Sequence, residues 1–139
     1  MPNETFNNFS NNRFAVNTQK TARRVGNYGE SIAVEYLVKK GYQILARNYT
    51  RNKGEIDIIV KNDEYLIFVE VKYRSQINFG TPIEAVTRRK QKAIISCAYA
   101  YLGEMDLNDV ACRFDIIEIF DNKQFGNTIN HIKNAFGEA

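Results

Sequence analysis

Tyr65-Leu-Ile-Phe-Val-Glu-Val-Lys-Tyr73 decides the fold, because this apolar run without glycine or proline predicts a buried central strand. Glu70 and Lys72 interrupt the run and are two residues apart, so their side chains point to the same face of the predicted sheet. Opposite charges on a core strand cost free energy unless they pair or bind an ion. The stretch therefore predicts both a core strand and a place for chemistry on it.

A second buried acid is predicted in the preceding strand, where Asp57 lies among isoleucines. Asn62-Asp63 suits a tight two-residue turn between the two strands. Such a turn sets Asp57 opposite Phe68 and Glu55 opposite Glu70, so that both acids of the first strand share the face of Glu70. A slip by one residue would separate them, because it turns every side chain of a strand to the other face.

Two carboxylates and a lysine on one face are the groups that metal-dependent hydrolysis needs. Mg²⁺ takes oxygen ligands, commonly one or two carboxylates together with waters and phosphate oxygens. A bound ion activates water and neutralises charge that develops on a phosphodiester, and a lysine can orient the water or stabilise that charge. Asp57 and Glu70 are therefore candidate ligands of Mg²⁺ or Mn²⁺, and Lys72 is the candidate catalytic lysine. The alternative is a structural ion pair between Lys72 and one of the acids.

The order and spacing of these residues resemble a known group of proteins. Gly54-Glu-Ile-Asp57 followed by Phe68-Val-Glu-Val-Lys72 resembles the core motif of the PD-(D/E)XK nuclease superfamily, with Ile56 where the superfamily's name has proline. From about Gly26 to Phe136 the chain is most similar to the small bacterial UPF0102, or YraN, family. Further segments that carry this resemblance are Gly26-Asn-Tyr-Gly-Glu30, Gly80-Thr-Pro-Ile-Glu-Ala-Val86 and Lys90.

The resemblance implies a restriction-endonuclease-like fold, which is an α/β/α sandwich around a mixed sheet of four to five strands. It also implies a Mg²⁺-dependent endonuclease that hydrolyses DNA. The superfamily's small members include Holliday-junction resolvases, which act as dimers, so branched or structured DNA is the expected substrate and a homodimer the expected assembly. A non-catalytic nucleic-acid-binding or adaptor protein with the same fold is the alternative function, and RNA is the alternative substrate.

Each predicted helix carries one charged residue on its apolar stripe. Glu30 is followed at helical spacing by Ala33, Val34 and Leu37, so its carboxylate faces the sheet, and the resemblance implies that it assists the metal. The alternative is a solvated acid that the helix dipole stabilises. Lys90 lies in the apolar face of the second helix. Its ammonium group either extends past the core to solvent or points at the acids or at a substrate phosphate.

Three further residues are candidate nucleic-acid contacts or supports of the site. Gln91 lies at the edge of the apolar stripe, and Arg88 is the best candidate contact on the basic outer face of the same helix. Glu55 shares the acidic face in the expected register but lies near the exposed start of its strand. We therefore rank Glu55 below Asp57 and Glu70.

Residues 1–22, which are rich in asparagine, predict a disordered or flexible arm before a nuclease-like domain over 23–139. The first three strands should form an antiparallel meander, and a long helix should cross over to a fourth strand parallel to the third. The predicted elements are a helix from an Asn27 cap to about Lys40, strands over 42–49, 55–60 and 65–74, a helix from Pro82, a strand over 113–120, and either a strand or a helical turn over 129–136.

Composition limits the class of protein. A chain of 139 residues with 44% hydrophobic and 25% charged residues is typical of one soluble domain. No apolar stretch approaches the roughly 20 residues of a membrane span, and Cys97 and Cys112 match no disulfide or zinc pattern, so we expect a cytoplasmic protein without membrane contact. His131, the one histidine, lies in the segment left undecided between strand and helical turn, so histidine-rich metal sites and Ser-His-Asp chemistry lack parts, and we interpret it as a surface or packing residue. The net charge of +3 permits nucleic-acid binding.

Overall fold

The computed structural model describes residues 17–74, 85–122 and 126–137, with the backbone alone for residues 17–26 and 122. Within these residues the chain forms two helices and five strands. In chain order they are α1 (Asn17–Lys39), β1 (Gln43–Arg51), β2 (Gly54–Lys61), β3 (Leu66–Arg74), α2 (Arg88–Glu104), β4 (Cys112–Asn122) and β5 (Gly126–Phe136). No helix of the described residues is both long enough and apolar enough to cross a membrane.

The strands form one mixed sheet in the order β1-β2-β3-β4-β5. β1, β2 and β3 are antiparallel neighbours, whereas β4 is parallel to β3 and β5 is antiparallel to β4. The predicted meander and the parallel fourth strand are confirmed. The segment that the sequence left undecided between strand and helical turn is the edge strand β5, which closes the sheet on the side away from β1.

Helices cover both faces of the sheet, which confirms the predicted α/β/α sandwich. The cluster against α2 contains Ala46, Ile56, Ile59, Leu66, Phe68, Val86, Ile94, Cys97, Ala98, Tyr101 and Ile116. The cluster against α1 contains Ala33, Leu37, Ile58, Val60, Ile67, Val69, Ile117 and Ile119. Neighbouring residues of β3 alternate between the two clusters, so the face that holds Phe68 also holds Glu70.

The predicted register between β2 and β3 is wrong by two residues. Phe68 pairs with Ile59 and not with Asp57, because the connection is four residues long, 62–65, and not a two-residue turn. The Asn62 side chain closes this longer loop by accepting hydrogen bonds from the amides of Glu64 and Tyr65, at 2.9 and 2.7 Å. An error of two residues keeps Asp57 and Glu70 on one face, although Ile56 packs with Ile59 on the α2 face and so breaks the expected alternation along β2.

Both predicted helix starts differ from the structure. α1 begins at Asn17 and not at Asn27, so residues 17–22 of the expected arm are helical, while residues 1–16 lie outside the described part. The capping preference of Asn27 did not set the start of the helix, because such local preferences are weak compared with the influence of the rest of the chain. α2 begins after Thr87, whose hydroxyl accepts the Lys90 amide, and the predicted start at Pro82 lies outside the described residues.

Candidate active site

The carboxyl groups of Asp57 and Glu70 meet on the α2 face, where β2 and β3 separate. The register between the two strands ends at the pair Ile58 and Val69. Beyond this pair, the amide of Val71 donates to Oδ2 of Asp57 at 2.8 Å. Asp57 thus replaces a backbone partner of β3, and its carboxyl group comes into hydrogen-bonding contact with that of Glu70.

This arrangement raises the pKa of Asp57 well above its ordinary value of 3.8. Burial is the largest cause, because it disfavours the charged form, and the neighbouring carboxylates of Glu70 and Glu30 act in the same direction. The hydrogen bond from the Val71 amide lowers the pKa but does not outweigh these causes. Negative charge at Asp57 is therefore incompletely compensated, and the pair favours either a proton or a cation.

Two lysines approach Glu70. Nζ of Lys90 lies 2.8 Å from Oε2 of Glu70, and Nζ of Lys72 lies 3.7 Å from the same oxygen. Burial alone would lower the pKa of Lys90, but its hydrogen bond to Glu70 and the nearby acids raise it, so Lys90 is cationic. Glu70 is only 3% exposed, whereas the Lys90 side chain is 47% exposed, so the lysine joins the buried acids to solvent.

Gly54 fixes the height of α2 above these acids. A Cβ atom at Gly54 would lie 2.4 Å from the carbonyl oxygen of Ala93, which is closer than any real contact. The start of β2 therefore packs directly on the backbone of α2. Lys90 precedes Ala93 by about one helical turn, so this close approach helps to bring its ammonium group to Glu70.

Glu30 reaches the site from α1. Its side chain is largely buried, and Oε1 accepts a hydrogen bond from Nδ2 of Asn48 at 2.9 Å, with Nη2 of Arg47 at 3.7 Å. Burial raises the pKa of Glu30 despite these two partners. Sequence reasoning missed both partners in β1. A signal for Asn48 was present, because asparagine interrupts an otherwise regular strand and tolerates its φ of 52°.

β4 adds a second ion pair to the same face, which sequence reasoning also missed. Glu118 is the partner of Lys72 in the parallel register of β3 and β4. Its side chain is buried, and Nε of Arg74 lies 3.1 Å from its Oε2. The face thus carries Glu70, Lys72 and Arg74 in alternation along β3, with Glu118 beside them.

The other three candidates lie around this centre. Glu55 is exposed at the start of β2 and pairs with Thr50 of β1, so its predicted place opposite Glu70 is wrong. Gln91 donates from Nε2 to the carbonyl oxygen of Val86 at 2.9 Å and so holds the chain that enters α2. Arg88 is exposed and lines a separate depression of α2 together with Lys92 and Tyr99.

The donor chemistry of Asp57 and Glu70 fits Mg²⁺ or Mn²⁺, because carboxylate oxygens are the ligands of hard cations and a cation would relieve their repulsion. Among the residues that the structure describes, no three His, Cys, Asp or Glu side chains form a group that could hold a metal ion. A metal would therefore be held by the two carboxylates, with water or phosphate oxygens completing its ligands. Glu30, held by Asn48, would support this pair electrostatically.

Comparison with known proteins places this site in a family. Residues 29–119, which include Glu30, Asp57, Glu70, Lys72 and Lys90, match the model of "Uncharacterised protein family UPF0102". A UPF0102 protein of Clostridioides difficile is 49% identical over 111 residues, which cover 80% of this chain and 95% of that protein. UPF0102 proteins of Caldanaerobacter subterraneus and Chlorobium limicola are 45% and 44% identical, over 82% of this chain and 95% and 92% of their own lengths. The chain therefore belongs to the UPF0102 family.

Proposed function

We propose that this protein is an endonuclease that hydrolyses phosphodiester bonds in DNA with Mg²⁺ or Mn²⁺ as its metal. The observation that carries the proposal is the contact between the carboxyl groups of Asp57 and Glu70, which leaves Asp57 with a raised pKa. In a structural ion pair each acid has a cationic partner, whereas here both lysines contact Glu70 and no ion pair of the described residues includes Asp57. Such perturbed acids in contact are characteristic of functional sites.

Each residue has a distinct role in this proposal. Asp57 and Glu70 would hold the ion, which would supply Lewis-acid activation of the phosphate and of the attacking water. Lys72, half-buried beside Glu70, holds the attacking water or stabilises the charge that develops on phosphorus. Lys90 contacts Glu70 from the solvent side and exchanges that oxygen for a phosphate oxygen when substrate enters. Glu30 strengthens the demand of the acidic pair for a cation.

DNA of branched or otherwise structured shape is the proposed substrate, and a homodimer is the proposed assembly. Both rest on analogy with the small junction-cutting members of the nuclease superfamily that the sequence resembles. The phosphodiester chemistry of the site is the same for DNA and RNA, so the choice between them depends on contacts outside the acidic pair.

A non-catalytic nucleic-acid-binding or adaptor protein is the second candidate, and one observation favours it. Lys90 is 2.8 Å from the Glu70 oxygen that would bind the ion, so the two groups form a complete ion pair. If that pair is permanent, the acids support the fold and the surface around them binds a partner. This alternative gives no functional reason for the raised pKa of Asp57.

Metal titration followed by a cleavage panel tests the proposal. We would titrate Mn²⁺ and Mg²⁺ into the wild type, Asp57→Asn, Glu70→Gln and Lys72→Met, with Lys61→Met as the control at the far, exposed end of β2. The panel contains single strands, duplexes, flaps and four-way junctions of DNA, and matching RNA. We expect metal-dependent cutting by the wild type and Lys61→Met, loss of metal binding in the acid variants, and loss of turnover alone in Lys72→Met.

The other outcomes separate the alternatives. Salt-dependent binding of nucleic acid without metal binding or cutting would establish the adaptor. Cutting of RNA alone would keep the chemistry and change the substrate. Cutting that survives in Asp57→Asn and Glu70→Gln would refute the assigned site.

A further inference from the structure

A cavity of about 350 Å³ opens beside the acidic pair, between the β1–β2 turn and the first turns of α2. Its lining residues are Lys53, Gly54, Glu55, Thr87, Arg89, Lys90, Ala93 and Ile94. Lys90 belongs both to this lining and, through its ammonium group, to the ion pair with Glu70. Lys90 is therefore shared by the cavity and the candidate active site. Its volume lies within the range of roughly 300 to 1,000 Å³ found for ligand sites.

The charges around the cavity favour an anion. Three cations, Lys53, Arg89 and Lys90, face one carboxylate, Glu55. Glu70 balances Lys90 from below, which leaves two cations against one anion on the solvent side. The N-terminal turn of α2, which starts after Thr87, adds the positive end of the helix dipole. A phosphate group would find positive potential and side chains with several hydrogen-bond donors.

The backbone conformation at Lys53 supports a functional role for its side chain. Arg51 pairs with Gly54, so Asn52 and Lys53 form a two-residue turn, with φ of 54° and 62°. Turns of this type favour asparagine and then glycine, because a side chain is strained at positive φ. Asparagine is present at the first position, but lysine stands where glycine is preferred. The chain thus tolerates strain that places a cation at the cavity.

We propose that this cavity binds a phosphate of the nucleic-acid strand next to the phosphate that lies at Asp57 and Glu70, with Lys53 and Arg89 as its contacts. The position relative to the scissile bond rests on the proposed function, whereas the capture of a phosphate does not require cutting. The strand would run from the cavity past Lys90 to the acidic pair. Glu55, at the edge of the cavity, opposes binding and so weakens the grip on the strand.

Salt-dependent binding of a labelled DNA strand tests this assignment. Fluorescence anisotropy would be measured in EDTA, so that no strand is cut, for the wild type, Lys53→Gly, Arg89→Gln and the control Lys61→Gln. Each cavity variant should weaken binding and reduce the slope of log K against log salt by about 0.7 for a single strand or about 0.9 for a duplex. The control makes the same change of charge on β2 outside the cavity and should leave the slope unchanged.

A stability measurement separates binding from folding. Lys53→Gly should raise the midpoint of thermal unfolding, because glycine adopts the positive φ without strain, while it weakens binding. Lys53→Arg should keep both the salt slope and the lower midpoint. If the Lys53 side chain does not contact the strand, Lys53→Gly will give a more stable protein with unchanged affinity for DNA.

Glu55→Gln distinguishes an anion site from a cation site. If the cavity takes a phosphate, this variant should bind both DNA and inorganic phosphate more tightly, because an opposing charge is gone. Amide chemical shifts of residues 53–55 and 87–90 would report phosphate binding directly, with chloride at equal ionic strength as the control. Weaker binding by Glu55→Gln, or phosphate shifts confined to other residues, would overturn the proposal.

The outcomes keep the two proposals apart. If the wild type cuts DNA and the cavity variants bind and cut as it does, the cavity assignment fails and the nuclease stands. If the cavity variants lose affinity and salt slope but no protein cuts, the phosphate site stands and the catalytic proposal fails. If neither DNA nor inorganic phosphate binds to the wild type, the cavity assignment is refuted independently of the cleavage assay.

Discussion

Asp57 and Asp115 are acids of the same sheet, half-buried and fully buried respectively, and their surroundings differ. Asp115, on β4, accepts hydrogen bonds from Arg113 at 2.9 and 3.1 Å and from the Asn134 amide at 2.9 Å, and its Oδ2 lies 2.7 Å from Nε2 of His131. Burial alone would raise the pKa of Asp115, but these partners lower it below the ordinary value. Asp57 has one amide partner and two acidic neighbours, so burial prevails and its pKa rises.

This difference teaches that a buried charge is not by itself a sign of function. The Asp115 cluster continues from His131 to the Tyr36 hydroxyl at 3.0 Å and from Arg113 to the Tyr42 hydroxyl at 3.1 Å, so it ties β4 and β5 to α1. Its acid is fully compensated, as a structural network requires. Asp57 itself has one amide and two acids as neighbours and takes part in no ion pair among the described residues, as a site for an added cation requires.

The largest expected effect on the free energy of unfolding is at Asp115, whose charge is compensated. Asp115→Ala should lower the free energy of unfolding by about 3–5 kcal/mol, because it leaves Arg113 and His131 buried without their acid. Denaturant unfolding measures this, with the exposed Asp63→Ala as the control. A loss below about 1 kcal/mol, within the range of surface pairs, would show that the Asp115 cluster is not structural.

A smaller effect is expected where β2 meets α2. Gly54→Ala should cost about 1–3 kcal/mol, because the new methyl group would overlap the Ala93 carbonyl and push α2, with Lys90, away from Glu70. Gly103→Ala is the matched control, since its Cβ would meet nothing within 4 Å and alanine favours the helix, so it should stabilise. Thermal unfolding of both variants decides this, and equal shifts would contradict the close packing at Gly54.

At Asp57, whose charge is not compensated, removal of the acid should raise the free energy of unfolding and not lower it. Asp57→Asn should stabilise the protein at pH 7–8, on the order of 1 kcal/mol, because the amide still accepts the Val71 hydrogen bond and carries no charge. The folded pKa lies above the unfolded one, so the contribution of Asp57 to stability is greatest below about pH 4 and is lost as pH rises through the folded pKa.

Thermal unfolding from pH 4 to pH 8 measures this second difference. The gain of Asp57→Asn over the wild type should grow with pH, and Mg²⁺ should stabilise the wild type but not the variant. Asp115→Asn supplies the contrast, since the pKa of Asp115 is lowered and its loss should destabilise. A wild type that gains stability from pH 5 to pH 8 relative to Asp57→Asn would refute the uncompensated charge.

The smallest effect tests the outer part of the compensated network. Tyr36→Phe removes the hydroxyl that contacts Nδ1 of His131 and should cost about 0.5–1.5 kcal/mol, the usual contribution of one hydrogen bond. Tyr28→Phe serves as the control, because its exposed hydroxyl accepts a hydrogen bond from Asn127 at 3.3 Å that should contribute little. A neutral result would mean that Asp115 and Arg113 alone hold the cluster.

The sequence predicted the faces of the sheet better than its contacts. Asp57 and Glu70 were correctly assigned to one face because alternation along a strand survives an error of two residues. The length of the β2–β3 connection was wrong because the Asn62 side chain closes a longer loop than its turn preference suggested. For Lys90 the sequence left two alternatives, extension to solvent or contact with the acids or a phosphate, and the structure shows a half-exposed side chain in contact with Glu70.

The Asp115 cluster was not predicted, for physical reasons. His131 was read as a surface or packing residue, and its partner Asp115 lies on a different strand, at a register that the sequence does not reveal. Asn134, whose amide donates to Asp115, has a φ of 54° and lies where the register between β4 and β5 shifts. Arg113 and Asp115, two apart on one strand, were the available signal for a buried pair.

The order of the strands across the sheet, which follows their order along the chain, has a consequence for folding. β1, β2 and β3 pair through short local connections, so we expect Asp57 and Glu70 to be brought together early, whereas α2 lies farther along the chain. We therefore expect the acids to meet before Lys90 arrives. We expect the docking of α2 to be a late step, governed by the fit between Gly54 and Ala93, and divalent ions to accelerate the formation of the meander.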